Sequence, residues 1–304
     1  MNNRNFACAA VFFIAGAAAE VPDESQLLAD PFANLDELPV VADYSVEVDR
    51  TRGAFSLDEG DGIYTEGAHF AKWDWRLEAP RPGSYHVGLI YHSIHPSLGV
   101  QLRIGDEVMV KTRVPSKNLS RNPDALKLGK IKLSDTGDQS VIMLTGDLSN
   151  IPSCQVKSLE FGPAPESEVP EQSVDGVVLL EAKSATTYSE NMRYGSGAEG
   201  ERLGFWTSEE DWAEWIFTLS SPGEFEVSVF YRCGKENSGN KVKLLANEQV
   251  LEFSTADTGG TWQELKLGKV KLEITGENKI ALLPEPMKTE AVMELQKIVV
   301  SPLR

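Results

Sequence analysis

The sequence predicts an all-β protein built as two tandem antiparallel β-sandwiches of jelly-roll type. Three observations predict it. First, residues 43–163 and 177–304 align with each other. Leu126-Lys127-Leu128-Gly129-Lys130-Ile131-Lys132-Leu133 matches Leu265-Lys266-Leu267-Gly268-Lys269-Val270-Lys271-Leu272. Trp75 matches Trp215, Pro82-Gly83 matches Pro222-Gly223, Tyr91 matches Tyr231 and Pro163 matches Pro302. Second, both copies alternate apolar and polar residues in short runs, as in Phe225-Glu-Val-Ser-Val-Phe-Tyr231 and Tyr85-His-Val-Gly-Leu-Ile-Tyr91, the two-residue period of half-buried strands. Third, no stretch keeps a helical period beyond about three turns, the ordinary globular length. The repeat is longer than a solenoid unit, so each copy is expected to hold its own core.

In chain order, residues 1–19 have the three parts of a secretory signal. Arg4 gives a positive start, residues 6–14 an apolar stretch, and Ala17-Ala18-Ala19 a small-residue site before Glu20. The expected location is therefore secreted or periplasmic. Residues 20–42 hold six acids and no base and are expected to be an acidic linker. Residues 43–163 form the first sandwich. Residues 164–176 hold four acids, Pro165 and Pro170, and are expected to be a second, solvated linker. Residues 177–304 form the second sandwich.

Of the 304 residues, 29 are Lys or Arg and 46 are Asp or Glu, a formal charge of −17. That excludes a nucleic-acid partner, which needs a basic face. Because so much of the charge lies in the two linkers, it reads as a solubility device. No apolar run reaches the roughly 20 residues of a membrane-spanning helix. After loss of Cys8 with the signal, Cys154 and Cys233 remain, in different halves, and are not expected to pair.

The second copy carries a series of signals: Gly204-Phe205-Trp206-Thr207, Glu210-Asp211-Trp212-Ala213-Glu214-Trp215, Pro222-Gly223-Glu224-Phe225, Thr258-Gly259-Gly260-Thr261-Trp262, and a closing Met293-Glu-Leu-Gln-Lys-Ile298. In these it resembles the galactose-binding-like jelly rolls, above all carbohydrate-binding modules of families six and thirty-five and the domain appended to secreted bacterial α-L-fucosidases and sulfatases. The resemblance covers nearly all of the second copy and reaches the first mainly through the duplication. It implies non-catalytic sugar binding.

A sugar site needs a flat ring, for the C–H face of a pyranose, beside hydrogen-bonding groups. Trp212 and Trp215 flank a strand and are expected in the core. Trp206 and Trp262 lie in Gly/Thr-rich loops and, with Phe205, are the candidate ligand contacts, matching the rings of the family's principal site. The Asn that often completes that site has no match near residues 290–295. In the first copy, Gly62-Ile63-Tyr64-Thr65 is aligned with residues 204–207, making Tyr64 the candidate ring there. The counterpart of Trp262 falls in residues 115–124, which hold no aromatic. Residues 177–304 are therefore expected to carry any sugar binding by themselves.

The resemblance also implies a structural calcium, with Glu181 and Glu47 at the early position of the two copies and Glu294 as a late partner, since oxygen-rich sites suit this ion. A solvent-facing Glu on an edge strand accounts for the same residues. An enzyme is not expected. All four histidines (His69, His86, His92, His95) lie in the first copy, and no His-Glu-x-x-His, Gly-x-Ser-x-Gly or Cys-x-x-Cys occurs. The expected function is a secreted, non-catalytic glycan- or polysaccharide-binding protein. The alternative is an envelope scaffold that docks a separate secreted glycoside hydrolase or sulfatase.

Overall fold

The computed structural model describes residues 52–66, 70–77, 81–93, 97–105, 107–115, 124–134, 139–146, 154–198 and 200–303. The expected signal (1–19), the first acidic linker (20–42), Glu47 and most of the 115–124 loop lie outside these residues. Among them there is no α-helix, only strands and three single 3-10 turns.

The first copy contains β1 (Phe55–Asp58), β2 (Ile63–Glu66), β3 (Phe70–Leu77), β4 (Gly83–Ser93), β5 (Ser97–Ile104), β6 (Glu107–Pro115), β7 (Asp124–Leu133), β8 (Gln139–Gly146) and β9 (Cys154–Pro163). They form two sheets, ordered β1-β9-β4-β7 and β2-β3-β8-β5-β6. The second copy contains β10 (Val178–Glu181), β11 (Thr186–Tyr188), β12 (Arg193–Gly197), β13 (Gly200–Gly204), β14 (Trp212–Leu219), β15 (Gly223–Arg232), β16 (Lys241–Ala246), β17 (Gln249–Ser254), β18 (Gln263–Leu272), β19 (Gly276–Pro284) and β20 (Glu294–Pro302). Its sheets run β12-β13-β20-β15-β18, with β10 also on β20, and β11-β14-β19-β16-β17. All pairings between these strands are antiparallel. Each copy is thus the expected sandwich, with its own core between its sheets.

The duplication reaches down to single hydrogen bonds. Trp75 lies in the first core and its Nε1 donates to the Asp58 carbonyl at 2.8 Å. Trp215 lies in the second core and donates to the Glu181 carbonyl at 2.9 Å. A buried indole N–H must find an acceptor, and both copies find it at the end of the first strand. Asp58, not Glu47, therefore stands where Glu181 stands.

The Leu-Lys-Leu-Gly-Lys repeat explains itself through a bulge. Its aliphatic residues are two apart, then three, then two, which would turn half of a regular strand to the wrong face. The register of β4 on β7 shifts after Val87, where Leu128 is the extra residue, and that of β15 on β18 shifts after Val227, where Leu267 is. The glycines that follow, Gly129 and Gly268, have φ of 153° and 143°, which other residues rarely adopt. The bulge restores the phase, so Leu126, Leu128, Ile131 and Leu133 are all buried.

Residues 164–176, expected as a solvated linker, are exposed in large part but are also hydrogen-bonded to both copies. The Ala164 N–H donates to the Ser84 carbonyl, and the Glu166 and Ser167 N–H groups donate to the Lys183 carbonyl. The Glu166 carboxylate accepts from the Ser84 N–H at 2.9 Å and from Lys132 Nζ at 2.9 Å. Gln172 and Pro170 exchange backbone bonds with Thr218, and Gln172 Oε1 accepts from the Ser220 and Ser221 N–H groups. A short connection must satisfy its backbone groups somewhere, and this one does so on both copies. It is a bonded strap.

Candidate functional site

The second copy contains a hairpin for which the first has no room. Between β2 and β3 stand three residues, 67–69. Between the corresponding β11 and β14 stand β12, β13 and residues 205–211. The hairpin adds to the edge of the sheet, with Arg193 opposite Gly204 on the two hairpin strands and Leu203 opposite Leu295 on β20.

This addition builds a row of side chains across one end of the sheet. Leu203, Leu295 and Tyr231 are buried in the core, so their strand neighbours Gly204, Glu294 and Arg232 face outward by the alternation of a strand. Arg232 lies opposite Glu294, and Tyr231 lies opposite Gln263, which places Trp262 beside Arg232. Glu294 is the centre of the row. Its Oε1 accepts from Arg202 Nε at 2.7 Å, and its Oε2 accepts from Arg232 Nε. Burial pushes the Glu294 carboxyl up, but the hydrogen bonds and charges of Arg232 and Arg202 outweigh it and hold the group below its ordinary value.

An aromatic ring stands at each end. The Arg232 guanidinium lies 4.9 Å from the centroid of Trp262, and the Arg193 guanidinium lies 4.0 Å from that of Phe205. Both are cation–π geometries. The Trp262 loop is held from below. Gly259 and Gly260 turn the chain with φ of 62° and 75°, the Thr258 hydroxyl accepts from the Cys233 N–H at 3.0 Å, and Thr261 Oγ1 donates to the Thr258 carbonyl at 2.8 Å. The Thr-Gly-Gly-Thr-Trp motif is thus a turn that carries a half-buried Trp on its last position.

Phe205 and Trp206 part company. Phe205 has φ of 61°, a left-handed backbone that a bulky residue adopts only under strain, and it is 57% exposed. Trp206 is 1% exposed and belongs to the core. Its Nε1 donates to the Asp211 carbonyl at 3.2 Å, and its own carbonyl accepts from the Val292 N–H at 2.9 Å. The expectation of Trp206 as an exposed ring is therefore corrected. The kink at Phe205 sends one ring to solvent, and the larger one goes inward, where its area and its N–H are both satisfied.

Tyr64 is corrected in another way. It is 49% exposed on β2, opposite Trp73 and with its ring 5.2 Å from that of Trp73. Trp73 stands two before Trp75, as Ala213 stands two before Trp215, and Ala213 faces Thr187. Tyr64 is hence the counterpart of Thr187, in the opposite sheet from the row, and not of Trp206. Trp215 is in the core as expected, but Trp212 is half exposed and stacks on Tyr188 with centroids 3.9 Å apart.

The proposed calcium donors do not converge. Glu181 pairs with Lys183 at 2.9 Å and sits opposite Lys297 on β20, roughly 10 Å along the strand from Glu294. Glu294 itself is held by two cations. The two guanidinium groups that occupy its oxygens repel a further cation, and the residues present do not fit the ion. Among the described residues, no three His, Cys, Asp or Glu side chains gather as a metal site would need.

Arg193, Arg202 and Arg232 were not anticipated, yet the sequence marks them. Residues 177–303 contain three arginines, and all three are in the row. Every other fixed cation of this stretch is a lysine, which lacks the flat guanidinium that stacks on rings and donates in parallel pairs. The row offers three guanidinium groups and one carboxylate. Cys233, next to Arg232, is a free buried thiol pushed above its ordinary value by burial, which makes it a poor nucleophile. The arrangement suits recognition.

No protein-family model and no curated protein matches the chain. Similar solved structures include a xanthan lyase from Paenibacillus, 11% identical over 88% of this chain and 27% of the lyase, with a TM-score of 0.34. The chain thus spans about a quarter of that enzyme. They also include the C-terminal family six carbohydrate-binding module of a marine laminarinase from Zobellia galactanivorans, 17% identical over 41% of this chain and 98% of the module, with a TM-score of 0.33. A family 35 carbohydrate-binding module from Clostridium thermocellum is 16% identical over 42% of this chain and 98% of the module, with a TM-score of 0.35.

Proposed function

We propose that the protein is an exported, non-catalytic glycan-binding protein, and that its second copy binds an acidic polysaccharide along the row from Phe205 to Trp262. One observation carries the reading: two aromatic rings, each under an arginine guanidinium, at the ends of a row whose central Glu294 is bound by Arg202 and Arg232. A sugar ring lays its C–H face on an aromatic ring, and its carboxylate or sulfate is met by guanidinium forks beside that ring. In a chain of charge −17, such a cluster of guanidiniums is a local exception, and it favours an anionic ligand. The sequence resemblance to carbohydrate-binding modules points the same way.

Affinity electrophoresis through gels containing neutral, uronate-rich or sulfated polysaccharides tests the proposal. Retardation by the acidic polymers, weakened by added salt, is the expected result. Equal retardation by neutral polymers refutes the acidic part, and no retardation by any polymer refutes the site.

The composition of the row supports one second reading. Exposed aromatic and arginine side chains are also the usual anchors of protein interfaces, so the same surface suits docking of a separate glycoside hydrolase or sulfatase. A pull-down from the secretome of the source, run beside the polysaccharide gels, separates the two. Retention of one such enzyme without any polysaccharide binding favours the scaffold.

A further inference from the structure

The first copy touches the second at a particular place: both stems of the site-bearing hairpin. The stem before β12 is the loop 189–192. Its turn is closed by the buried Ser189, whose hydroxyl accepts from the Asn191 and Met192 N–H groups at 2.9 and 2.7 Å. Arg81 of the first copy reaches this loop. Its Nη1 donates to the Thr187 carbonyl at 3.1 Å, to the Thr187 hydroxyl at 2.6 Å and to the Met192 carbonyl at 2.6 Å. Arg81 is itself fixed from behind, because the hydroxyl of the buried Tyr85 donates to its carbonyl at 2.7 Å.

Gly53 presses on the same loop. Its φ is 78°, and a Cβ placed on it would lie 2.4 Å from the Ser189 carbonyl oxygen. Backbone meets backbone there, and only glycine leaves the room. The stem after β13 is the segment 205–211, and Arg52 of the first copy holds its far end. Arg52 Nε donates to Asp211 Oδ1 at 3.2 Å, and a further guanidinium nitrogen of Arg52 lies 3.1 Å from the same oxygen. Asp211 is buried, and its carbonyl is the acceptor for Trp206, the residue directly after Phe205.

Arg193 begins where the first clamped stem ends, and Phe205 begins the second. We propose that the first copy is a positioning domain: through Arg81, Gly53 and Arg52 it holds the β12–β13 hairpin in the arrangement that binds ligand. This rests on the proposed glycan site. It also runs against the expectation that residues 177–304 carry any sugar binding by themselves. Arg81 and Arg52 are positioning residues, since neither is part of the row. The physical reason is that an edge hairpin attached to β20 mainly through Leu203 and Leu295 has few partners of its own, and loosely attached elements open at low cost.

The test uses the full-length protein carrying Arg81→Ala, Arg81→Lys or Arg52→Ala. Two quantities are read: amide hydrogen exchange by mass spectrometry, and affinity for the acidic polysaccharide that the wild type binds best. Arg81→Ala is expected to speed exchange in peptides covering 187–194 and 203–211 while β15 and β19 stay protected, and to weaken binding roughly 3- to 30-fold, the usual range of such coupling. Arg81→Lys, which keeps one donor, is expected to recover part of both. Arg52→Ala is expected to act on 203–211 more than on 187–194, and it serves as the main variant if Arg81→Ala does not fold.

Unchanged exchange at both stems overturns the proposal, and so does faster exchange with unchanged affinity. If the wild type binds no polysaccharide, the glycan reading fails by itself. The exchange data then still decide whether the first copy holds the hairpin.

Discussion

The guanidinium of Arg193 lies 4.0 Å above the ring of Phe205, so a strained residue and a stacked cation share one end of the row. Phe205 holds a left-handed backbone at φ 61° and yet is 57% exposed. Such a conformation costs an L-residue about 1–2 kcal/mol. A residue kept at that cost, with its apolar side chain in water, is better explained by what it contacts than by packing.

Phe205→Gly is therefore expected to separate stability from binding. The backbone strain is relieved and little buried area is lost, so the midpoint of chemical unfolding is expected to stay level or rise. Binding to an acidic polysaccharide is expected to fall by about thirtyfold or more, since truncating an aromatic anchor typically costs about 2 kcal/mol. Isothermal titration beside urea unfolding reads both. A variant that binds as well as the wild type removes Phe205 from the site.

Trp206 is expected to behave in the opposite way. Trp206→Ala opens a cavity in the second core, deprives the Asp211 carbonyl of its indole partner and should cost about 3–5 kcal/mol of stability. Urea unfolding followed by circular dichroism is expected to show a strongly lowered midpoint. Retained stability with selective loss of binding would return Trp206 to the ligand.

His86 contributes to the pH response of the first copy. Burial, and then the charges of Lys127 and Lys130, lower its value from 6.5 to about 4. Between these two values the unfolded chain takes up a proton that the folded chain refuses, so stability falls as pH drops from about 6.5 to about 4 and levels off below. His86→Gln removes this contribution. Thermal unfolding between pH 7 and pH 4 is expected to show a smaller drop for the variant than for the wild type, and equal drops would contradict the assignment.

Calcium is expected to be without effect on the row. Glu294 is occupied by Arg202 and Arg232, and Glu181 by Lys183. Polysaccharide affinity and melting temperature in millimolar calcium and in chelator are expected to agree. A clear rise of either with calcium would show that donors other than these hold the ion.

Much of the fold was legible because strand period and duplication are local signals repeated at one offset. Trp75 and Trp215 align in the sequence and occupy the same place in the two cores. Even the irregular spacing in residues 126–133 is a regular strand once Leu128 is recognised as a bulge. The site was less legible. Adjacent residues Phe205 and Trp206 differ in fate through one backbone angle, which no composition signal carries. Tyr64 was misplaced because the β12–β13 hairpin is an insertion, and an alignment that slides across it equates opposite sheets. The three arginines were visible in the sequence, but only the pairing of β12, β13, β20 and β15 brings them together. The contacts of Arg52 and Arg81 cross more than a hundred residues and leave no local trace.

Isothermal titration with the acidic polysaccharide that retards the protein most decides whether Trp262 and the arginines beside it bind an acidic glycan. The full-length Trp262→Ala variant and the wild type are titrated under the same low-salt buffer, with circular dichroism as the folding control. The expected result is a folded variant whose affinity is lower by about thirtyfold or more, from an anchor worth about 2 kcal/mol. A folded variant with wild-type affinity would contradict it.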